Sequence, residues 1–393
     1  MPSTLASGLP PPDAASAAHS ARCAEFIRAR IDAAGGSISF AEFMQHALYA
    51  PGLGYYAAGA EKFGAAGDFV TAPEVSPLFA SVLARQCQQV LDALGGGSIL
   101  EFGAGSGRLA VGVLRKLEVL DALPEQYLIL EVSADLQARQ AQLLRAELPQ
   151  LVERVHWIDA LPDAHRGVMF ANEVLDALPV ERFVAGPQVE QCRVINAAGG
   201  FEFVREPAPP VLSSAVAAIE RALGVSLPHG YTSEVSLAAG PWVTEMLAGL
   251  EAGVAFLFDY GLSRREYYAP DRDEGWLRCH FRHHAHNNPL ILPGIQDITS
   301  WVDFSRVADA AHAASARIAG YVSQAHFLLA GGLTEEMSTM HSLPVAQQSE
   351  LSAQVKKLTL PGEMGERFKC LGLSVGVDDA PSAFKLADRT HTL

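Results

Sequence analysis

The sequence predicts an α/β protein with a mostly parallel sheet and helices on both faces. Short apolar runs alternate with helix-like periodicity after residue 97, and a glycine-rich turn follows the first of these runs. Of the 393 residues, 49% are hydrophobic and 19% are charged. This composition provides a sizeable core and excludes a chain that is disordered throughout.

Predicted strands and helices alternate over most of the chain. Strands are predicted at 98–102, 127–132, 155–158, 168–171, 254–258, 318–322 and 370–375, and helices at 108–120, 134–148 and 213–223. Upstream, Ser39 and Glu42 form a capping box ahead of an apolar-periodic stretch. Thr71 and Glu74 form a second box, which predicts one helix from about residue 73 to residue 94.

The acidic charge balance argues against two classes of partner. The formal charge is −15, from 44 acidic and 29 basic residues, which disfavours a nucleic-acid surface and docking on anionic membranes. No apolar stretch approaches the roughly 20 residues that cross a bilayer. Five scattered cysteines without C-x-x-C spacing, and an N-terminus without a signal-peptide pattern, predict a soluble cytoplasmic protein.

The most informative segment is the turn that contains Gly103, Gly105 and Gly107. Glycines allow the backbone to turn tightly and to approach a ligand closely. A dinucleotide fingerprint would place its third glycine where Arg108 stands, so an NAD-binding turn is the less favoured alternative. Glu101 would lie poorly beside a pyrophosphate but suits a cation. The pattern E-x-G-x-G-x-G resembles the first motif of class I S-adenosylmethionine-dependent methyltransferases.

Two further acids lie at the carboxyl ends of the next two predicted strands. Glu131 ends the second strand, where a carboxylate can accept hydrogen bonds from ribose hydroxyls. Asp159 follows the third strand, where it can accept a hydrogen bond from an adenine amino group. An exposed loop aspartate without a ligand is an almost equally good interpretation of Asp159.

The candidate reaction site follows the fourth strand, because ligands of open α/β sheets lie at the carboxyl ends of the strands. Asn172, Glu173 and Asp176 lie there. The spacing of the two carboxylates predicts that they share one helical face and hold a guanidinium. Helix capping, or charge placement in a first helical turn, is the alternative explanation.

A family resemblance emerges from five segments that occur in a fixed order. They are residues 67–79, the glycine turn, residues 171–183, residues 293–304 and residues 364–369. Together they resemble the MidA-like methyltransferases, which include the mitochondrial complex I assembly factor that methylates an arginine of a core subunit. The resemblance spans about residues 25 to 376.

This resemblance implies a class I methyltransferase core with an N-terminal helical extension and an insertion after the fourth strand. It also implies that Gly67, Asp68 and Thr71 help to close over the cofactor S-adenosylmethionine. The expected substrate is an arginine-containing protein, with a subunit of respiratory complex I as one candidate, and a homodimer is left open. A methyltransferase with a small-molecule acceptor and a non-catalytic assembly factor that keeps the fold are the alternatives.

The predicted division of the chain follows from these features. It comprises a flexible tail at 1–22, a helical extension with a lid loop at 23–95, the first part of the core at 96–179, a substrate-recognition insertion at 180–250, the completion of the core with a histidine-containing loop at 251–376, and a C-terminal tail at 377–393. The lid within the extension is the glycine- and aromatic-rich loop at 51–69, which is long for a mere connection.

Four histidines lie close together in the sequence at His280, His283, His284 and His286. No acid lies within this run, and its spacing matches no pattern of structural zinc ligands. We therefore predict no metal site here.

Overall fold

A computed structural model describes residues 8–58 and 71–393 of the chain. These residues belong to two compact units. Unit 1 takes its residues from Met1–Phe69, Asp176–Gly240 and Leu262–Asp303, and unit 2 takes its residues from Val70–Leu175, Pro241–Gly261 and Phe304–Leu393. No helix within the described ranges is both long enough and apolar enough to cross a membrane.

The described chain contains α-helices and β-strands with the following bounds. The helices are α1 (Ala14–Ala33), α2 (Phe40–Tyr49), α3 (Ala72–Val75), α4 (Pro77–Leu94), α5 (Arg108–Val119), α6 (Ala134–Glu147), α7 (Pro210–Leu223), α8 (Ala239–Ala248), α9 (Arg264–Tyr267), α10 (Phe304–Ala313), α11 (Gln324–Ala330), α12 (Leu333–Glu336), α13 (Val345–Thr359) and α14 (Met364–Arg367). The strands are β1 (Ser37–Ser39), β2 (Ser98–Phe102), β3 (Tyr127–Leu130), β4 (Val155–Ile158), β5 (His165–Asn172), β6 (Glu181–Val184), β7 (Glu190–Ala197), β8 (Gly200–Pro207), β9 (Thr232–Val235), β10 (Leu250–Leu262), β11 (Leu277–Phe281), β12 (His284–His286), β13 (Asp297–Ser300), β14 (Val302–Asp303), β15 (Arg317–Ser323) and β16 (Phe368–Val375).

Unit 2 is built on a mixed sheet whose strands lie in the order β15-β16-β10-β5-β2-β3-β4. The pairs from β10 to β4 are parallel, whereas β16 is antiparallel to both of its neighbours. The strand order reverses at β2, since the chain continues to β3 on one side and returns to β5 on the other. In parallel sheets this reversal creates a crevice at the carboxyl ends of the strands, where ligands bind. The predicted α/β fold with a mostly parallel sheet is confirmed.

Aromatic side chains fill the core of unit 2 beside β10. Phe258 contacts Phe327 with ring centroids 4.8 Å apart, and Phe384 stacks on Phe256 at 6.0 Å. Phe384 is only 4% exposed, and it lies so close to Gly320 that a Cβ there would be 2.5 Å from its Cβ. Part of the predicted C-terminal tail at 377–393 is therefore packed into the core.

Unit 1 contains two antiparallel sheets. One consists of β1, β7, β6 and β9, with β8 paired to β7, and the other consists of β12, β11 and β13. One hydrophobic cluster joins α1 and α2 to residues from both sheets, for example Phe40, Val194 and Cys279. This packing places residues 262–303, which we expected to complete the core, in the same unit as most of the predicted insertion.

Two local predictions at the N-terminal side differ from the structure. Helix α1 begins at Ala14 and buries His19, so the second part of the predicted flexible tail at 1–22 is helical and packed. The single helix predicted from about residue 73 is interrupted at Ser76, whose backbone is extended. Pro77 causes this break because proline disfavours the helical conformation in the residue before it. The side chain of Ser76, rather than that of Thr71, caps the long helix α4.

Candidate functional site

The glycine turn connects β2 to α5 at the point where the strand order reverses. Gly103, Gly105 and Gly107 have φ angles of 62°, 52° and 81°, which favour glycine. A Cβ on Gly107 would lie 3.2 Å from Cγ of Gln140, so this position is tightly packed. A Cβ on Gly105 would meet no described atom within 4 Å. The backbone at Gly105 is therefore open to the close approach of a ligand.

Glu101 lies within β2, immediately before this turn, and is 2% exposed. The hydroxyl of Tyr127 donates a hydrogen bond of 2.6 Å to Oε2 of Glu101. Burial raises the pKa of Glu101 to about 8, and the charge of Glu131 adds to this effect, whereas the hydrogen bond from Tyr127 opposes it. A buried carboxyl of this kind favours a cationic partner, which would stabilise its ionised form.

Glu131 directly follows β3, and its carboxylate is held on both oxygens. The backbone N–H of Ser133 donates to Oε1 at 3.0 Å, and the side-chain amide of Gln140 donates to Oε2 at 3.1 Å. Burial raises the pKa of Glu131, and the hydrogen bonds from Ser133 and Gln140 counteract this increase. Val132, the next residue, is 76% exposed and adds an apolar surface at the same strand end.

The other predicted cofactor residues have less defined surroundings. Asp159 directly follows β4 and is exposed, so both interpretations of this residue stand. Thr71 precedes α3 but makes no capping hydrogen bond with its side chain. Gly67 and Asp68 lie outside the described residues.

Asn172 and Glu173 lie at the carboxyl end of β5, the strand beside β2. The side-chain amide of Asn172 donates to Oε1 of Glu173 at 3.2 Å. Glu173 has a φ angle of 55°, an uncommon conformation for a residue with a side chain, and its N–H donates to the carbonyl of Phe258 at 2.9 Å. The predicted helical face is therefore wrong, because residues 173–178 form bends and a turn.

Asp259 in β10 fixes this turn, although we assigned it no role from the sequence. Its side chain is fully buried, and its Oδ2 accepts a hydrogen bond of 3.0 Å from the N–H of Leu175. Its Oδ1 accepts another of 2.9 Å from the N–H of Tyr260. An acid directly after an apolar strand was the only signal in the sequence. Strand β10 thus holds the backbone on both sides of Val174.

Asp176 belongs to unit 1, where it is 3% exposed. Tyr56 donates a hydrogen bond of 2.8 Å to Oδ1 of Asp297. Burial raises the pKa of Tyr56, and the negative charges of Asp297 and Asp176 raise it further. The ring of Tyr49 lies 5.5 Å from that of Tyr56. Unit 1 therefore combines two carboxylates with aromatic rings, a set of groups that favours a cation. Tyr56 lies in the aromatic-rich loop and Asp297 in one of the five resemblance segments, but we assigned neither residue a role from the sequence.

The histidine segment forms the hairpin of β11 and β12. Its turn residues Arg282 and His283 have φ angles of 49° and 64°. Burial and the nearby charge of Arg278 lower the pKa of His280 to about 4. Nδ1 of His286 accepts a hydrogen bond of 3.3 Å from the N–H of Asn288. Among the residues that the structure describes, no group of three or more His, Cys, Asp or Glu side chains could hold a metal ion.

The sheet order, the glycine turn, the acid in β2 and the acid directly after β3 define a class I S-adenosylmethionine-dependent methyltransferase. A family described as "Putative S-adenosyl-L-methionine-dependent methyltransferase" matches residues 82–322. The chain belongs to this family, the MidA-like methyltransferases.

Solved and curated relatives agree with this assignment. A crystal structure of a protein from Burkholderia thailandensis, bound to S-adenosyl-homocysteine, is 42% identical, with a TM-score of 0.91 over 98% of this chain and 100% of that one. The Drosophila melanogaster protein named "Protein arginine methyltransferase NDUFAF7 homolog, mitochondrial" is 29% identical over 93% of this chain and 88% of its own length. The Homo sapiens protein named "Protein arginine methyltransferase NDUFAF7, mitochondrial" is 28% identical over 86% of this chain and 80% of its own length.

The cofactor of the family, S-adenosylmethionine, fits the residues present. The open side of Gly105 allows the ligand to approach the backbone, and the carboxyl of Glu101 suits its positive charge. Glu131 offers a fixed carboxylate at the strand end where a ribose would be bound. These three residues would hold the cofactor, which supplies a methyl group on a positively charged sulfur.

Proposed function

We propose that the protein is an arginine N-methyltransferase that acts on a protein substrate. The observation that carries this proposal is the conformation of Glu173. Glu173 has a left-handed backbone conformation and lies at the carboxyl end of β5, which pairs with β2, the strand before the glycine turn. Such strain persists only where the surrounding structure enforces it, and it is concentrated at functional sites.

Glu173 and Asn172 supply the chemistry that an arginine acceptor needs. A guanidinium has a pKa above 12 and reaches the protein protonated, so a carboxylate can bind it through paired, charge-assisted hydrogen bonds. Each such bond contributes about 1.5–3 kcal/mol. Glu173 would orient the attacking nitrogen, and Asn172, which already donates to Glu173, would hold that carboxylate in place. Orientation matters most because the leaving group is supplied with the methyl donor.

Asp176 is proposed to contribute negative charge to the binding of the acceptor. It lies near Tyr56, which is bonded to Asp297, so a cation would be favoured there. The names of the mitochondrial relatives, which are protein arginine methyltransferases, support the same acceptor class. A subunit of respiratory complex I stays the candidate substrate implied by the resemblance, and a cytoplasmic location stays a prediction.

Methyl transfer into a cell lysate tests this proposal. The wild-type protein with a labelled methyl donor should label lysate protein, and acid hydrolysis should return the label as methylated arginine. Glu173→Gln should bind S-adenosylhomocysteine normally and reduce transfer at least tenfold. Glu153→Gln is the matched control, since Glu153 is exposed and precedes the amino end of β4, whereas Glu173 follows the carboxyl end of the parallel strand β5. Label in another amino acid or only in small molecules, or full activity of Glu173→Gln, would refute the proposed acceptor site.

A further inference from the structure

The buried side chain of Gln140 is bonded both to the glycine turn and to Glu131, two parts of the proposed cofactor site. Helix α6 buries only two of its side chains, Leu144 and Gln140. Gln140 is 0% exposed. A buried amide is destabilising unless its donors and its acceptor are bonded. Its position four residues before Leu144 would normally be apolar, so the glutamine indicates a specific requirement.

All polar atoms of the Gln140 amide are bonded. Its nitrogen donates to the carbonyl of Gly105 at 2.9 Å and to Oε2 of Glu131 at 3.1 Å. Its oxygen accepts a hydrogen bond of 2.8 Å from the indole N–H of Trp157. The indole can only donate and the Gly105 carbonyl can only accept, so the orientation of the amide is fixed by chemistry.

The backbone and the aliphatic part of Gln140 also pack against the glycine turn. A Cβ on Gly107 would lie 3.3 Å from Cα of Gln140, so the turn and α6 are in close contact. The carbonyl of Gly105 and the carboxylate of Glu131, which follows β3, are bonded to the same nitrogen. A movement of the amide would therefore disturb both hydrogen bonds.

We propose that Gln140 is a positioning residue for cofactor binding, which holds the Glu131 carboxylate in the orientation that receives the ribose hydroxyls. Trp157 acts through it by fixing the direction of the amide. This inference rests on the proposed role of Glu131 and goes beyond it, because Gln140 itself need not touch the ligand. It is independent of the identity of the methyl acceptor.

The test compares two ligands on the same protein by isothermal titration calorimetry. The ligands are S-adenosylhomocysteine and its 2′,3′-dideoxyribose analogue, and the ratio of their dissociation constants measures recognition of the hydroxyls. The wild-type ratio should be about tenfold or larger, as expected for hydrogen bonds to a carboxylate. Gln140→Met should reduce the ratio to within about threefold. A general loss of folding would weaken both ligands equally and would leave the ratio unchanged.

The remaining variants separate the possible failures. Gln150→Met is the matched control, because Gln150 is exposed and its amide bonds only Glu118 among the described contacts, so its ratio should equal that of the wild type. A wild-type ratio in Gln140→Met would overturn the inference. If Glu131→Ala also kept that ratio, the role of Glu131 would fail as well. If Gln140→Met did not fold, Trp157→Phe would test the inference instead. We expect a reduced ratio of dissociation constants, and an unchanged ratio would overturn the inference.

Discussion

Replacement of Glu101 by glutamine should stabilise the protein at alkaline pH while it weakens cofactor binding. Glutamine is nearly isosteric, and its oxygen can still accept the hydrogen bond from Tyr127. The folded-state pKa of Glu101 is about 8, against an ordinary value of 4.5. The folded protein therefore binds this proton more tightly than the unfolded chain does. Between these two pH values, the wild type loses stability as the pH rises, and above pH 8 the loss is complete.

The size of the effect follows from the same two values. A difference between 4.5 and about 8 corresponds to at most about 5 kcal/mol of unfolding free energy. Glu101→Gln removes this dependence, so its advantage over the wild type should grow from near zero at pH 4.5 to several kcal/mol at pH 9. In binding, the variant cannot ionise, so it lacks the negative charge that a cationic ligand would stabilise on Glu101. Its affinity for S-adenosylmethionine should fall by about tenfold or more.

Urea unfolding at pH 5.5, 7 and 8.5 measures the first effect, and calorimetric titration with the methyl donor measures the second. Glu153→Gln, an exposed site with the same change of charge, corrects for the general effect of lower negative charge. A stability difference that does not grow with pH would refute the buried, proton-binding state of Glu101. Wild-type affinity of Glu101→Gln would refute its role as the counter-charge of the ligand.

Four further substitutions test other parts of the account. Gly105→Val should abolish donor binding in calorimetry, because φ is 52° and the new side chain fills the open side of the turn; retained binding would contradict this. Asp259→Asn should keep donor binding but reduce methyl transfer at least tenfold and lower the unfolding free energy by about 1–3 kcal/mol, because the amide cannot accept both backbone N–H groups. Unchanged transfer would show that this contact of β10 does not support the reaction. Ser76→Ala should lower the unfolding free energy by about 1 kcal/mol, whereas Thr71→Ala should leave it nearly unchanged; equal losses would contradict the assigned cap.

The sequence predicted the sheet well because its strands are short, continuous apolar runs between helices. Strand β2 and strand β4 have the predicted bounds, and β10 extends from Leu250 to Leu262, beyond the predicted apolar run, because polar and glycine residues at its ends still pair with neighbours. The break at Ser76 shows the limit of cap patterns: Thr71 and Glu74 have the right spacing, but the proline at position 77 decides where the long helix begins.

The sequence predicted only those residues of the candidate site whose position follows from neighbouring motifs along the chain. Glu101 and Glu131 follow from their places beside the glycine turn and at the end of the next strand. The turn at Glu173 was not predictable, because its shape depends on Phe258 and Asp259, which lie more than 80 residues further along the chain. The role of Gln140 was not predictable either, since only the folded protein brings its amide to Gly105 and Glu131.

The central claim is that the glycine turn and the acids beside it bind S-adenosylmethionine. A crystal structure of this protein with S-adenosylhomocysteine tests it most directly. We expect the ligand to lie against the backbone of Gly105 and its ribose hydroxyls to donate hydrogen bonds to the carboxylate of Glu131. Saturating ligand that binds elsewhere, or not at all, would contradict the account.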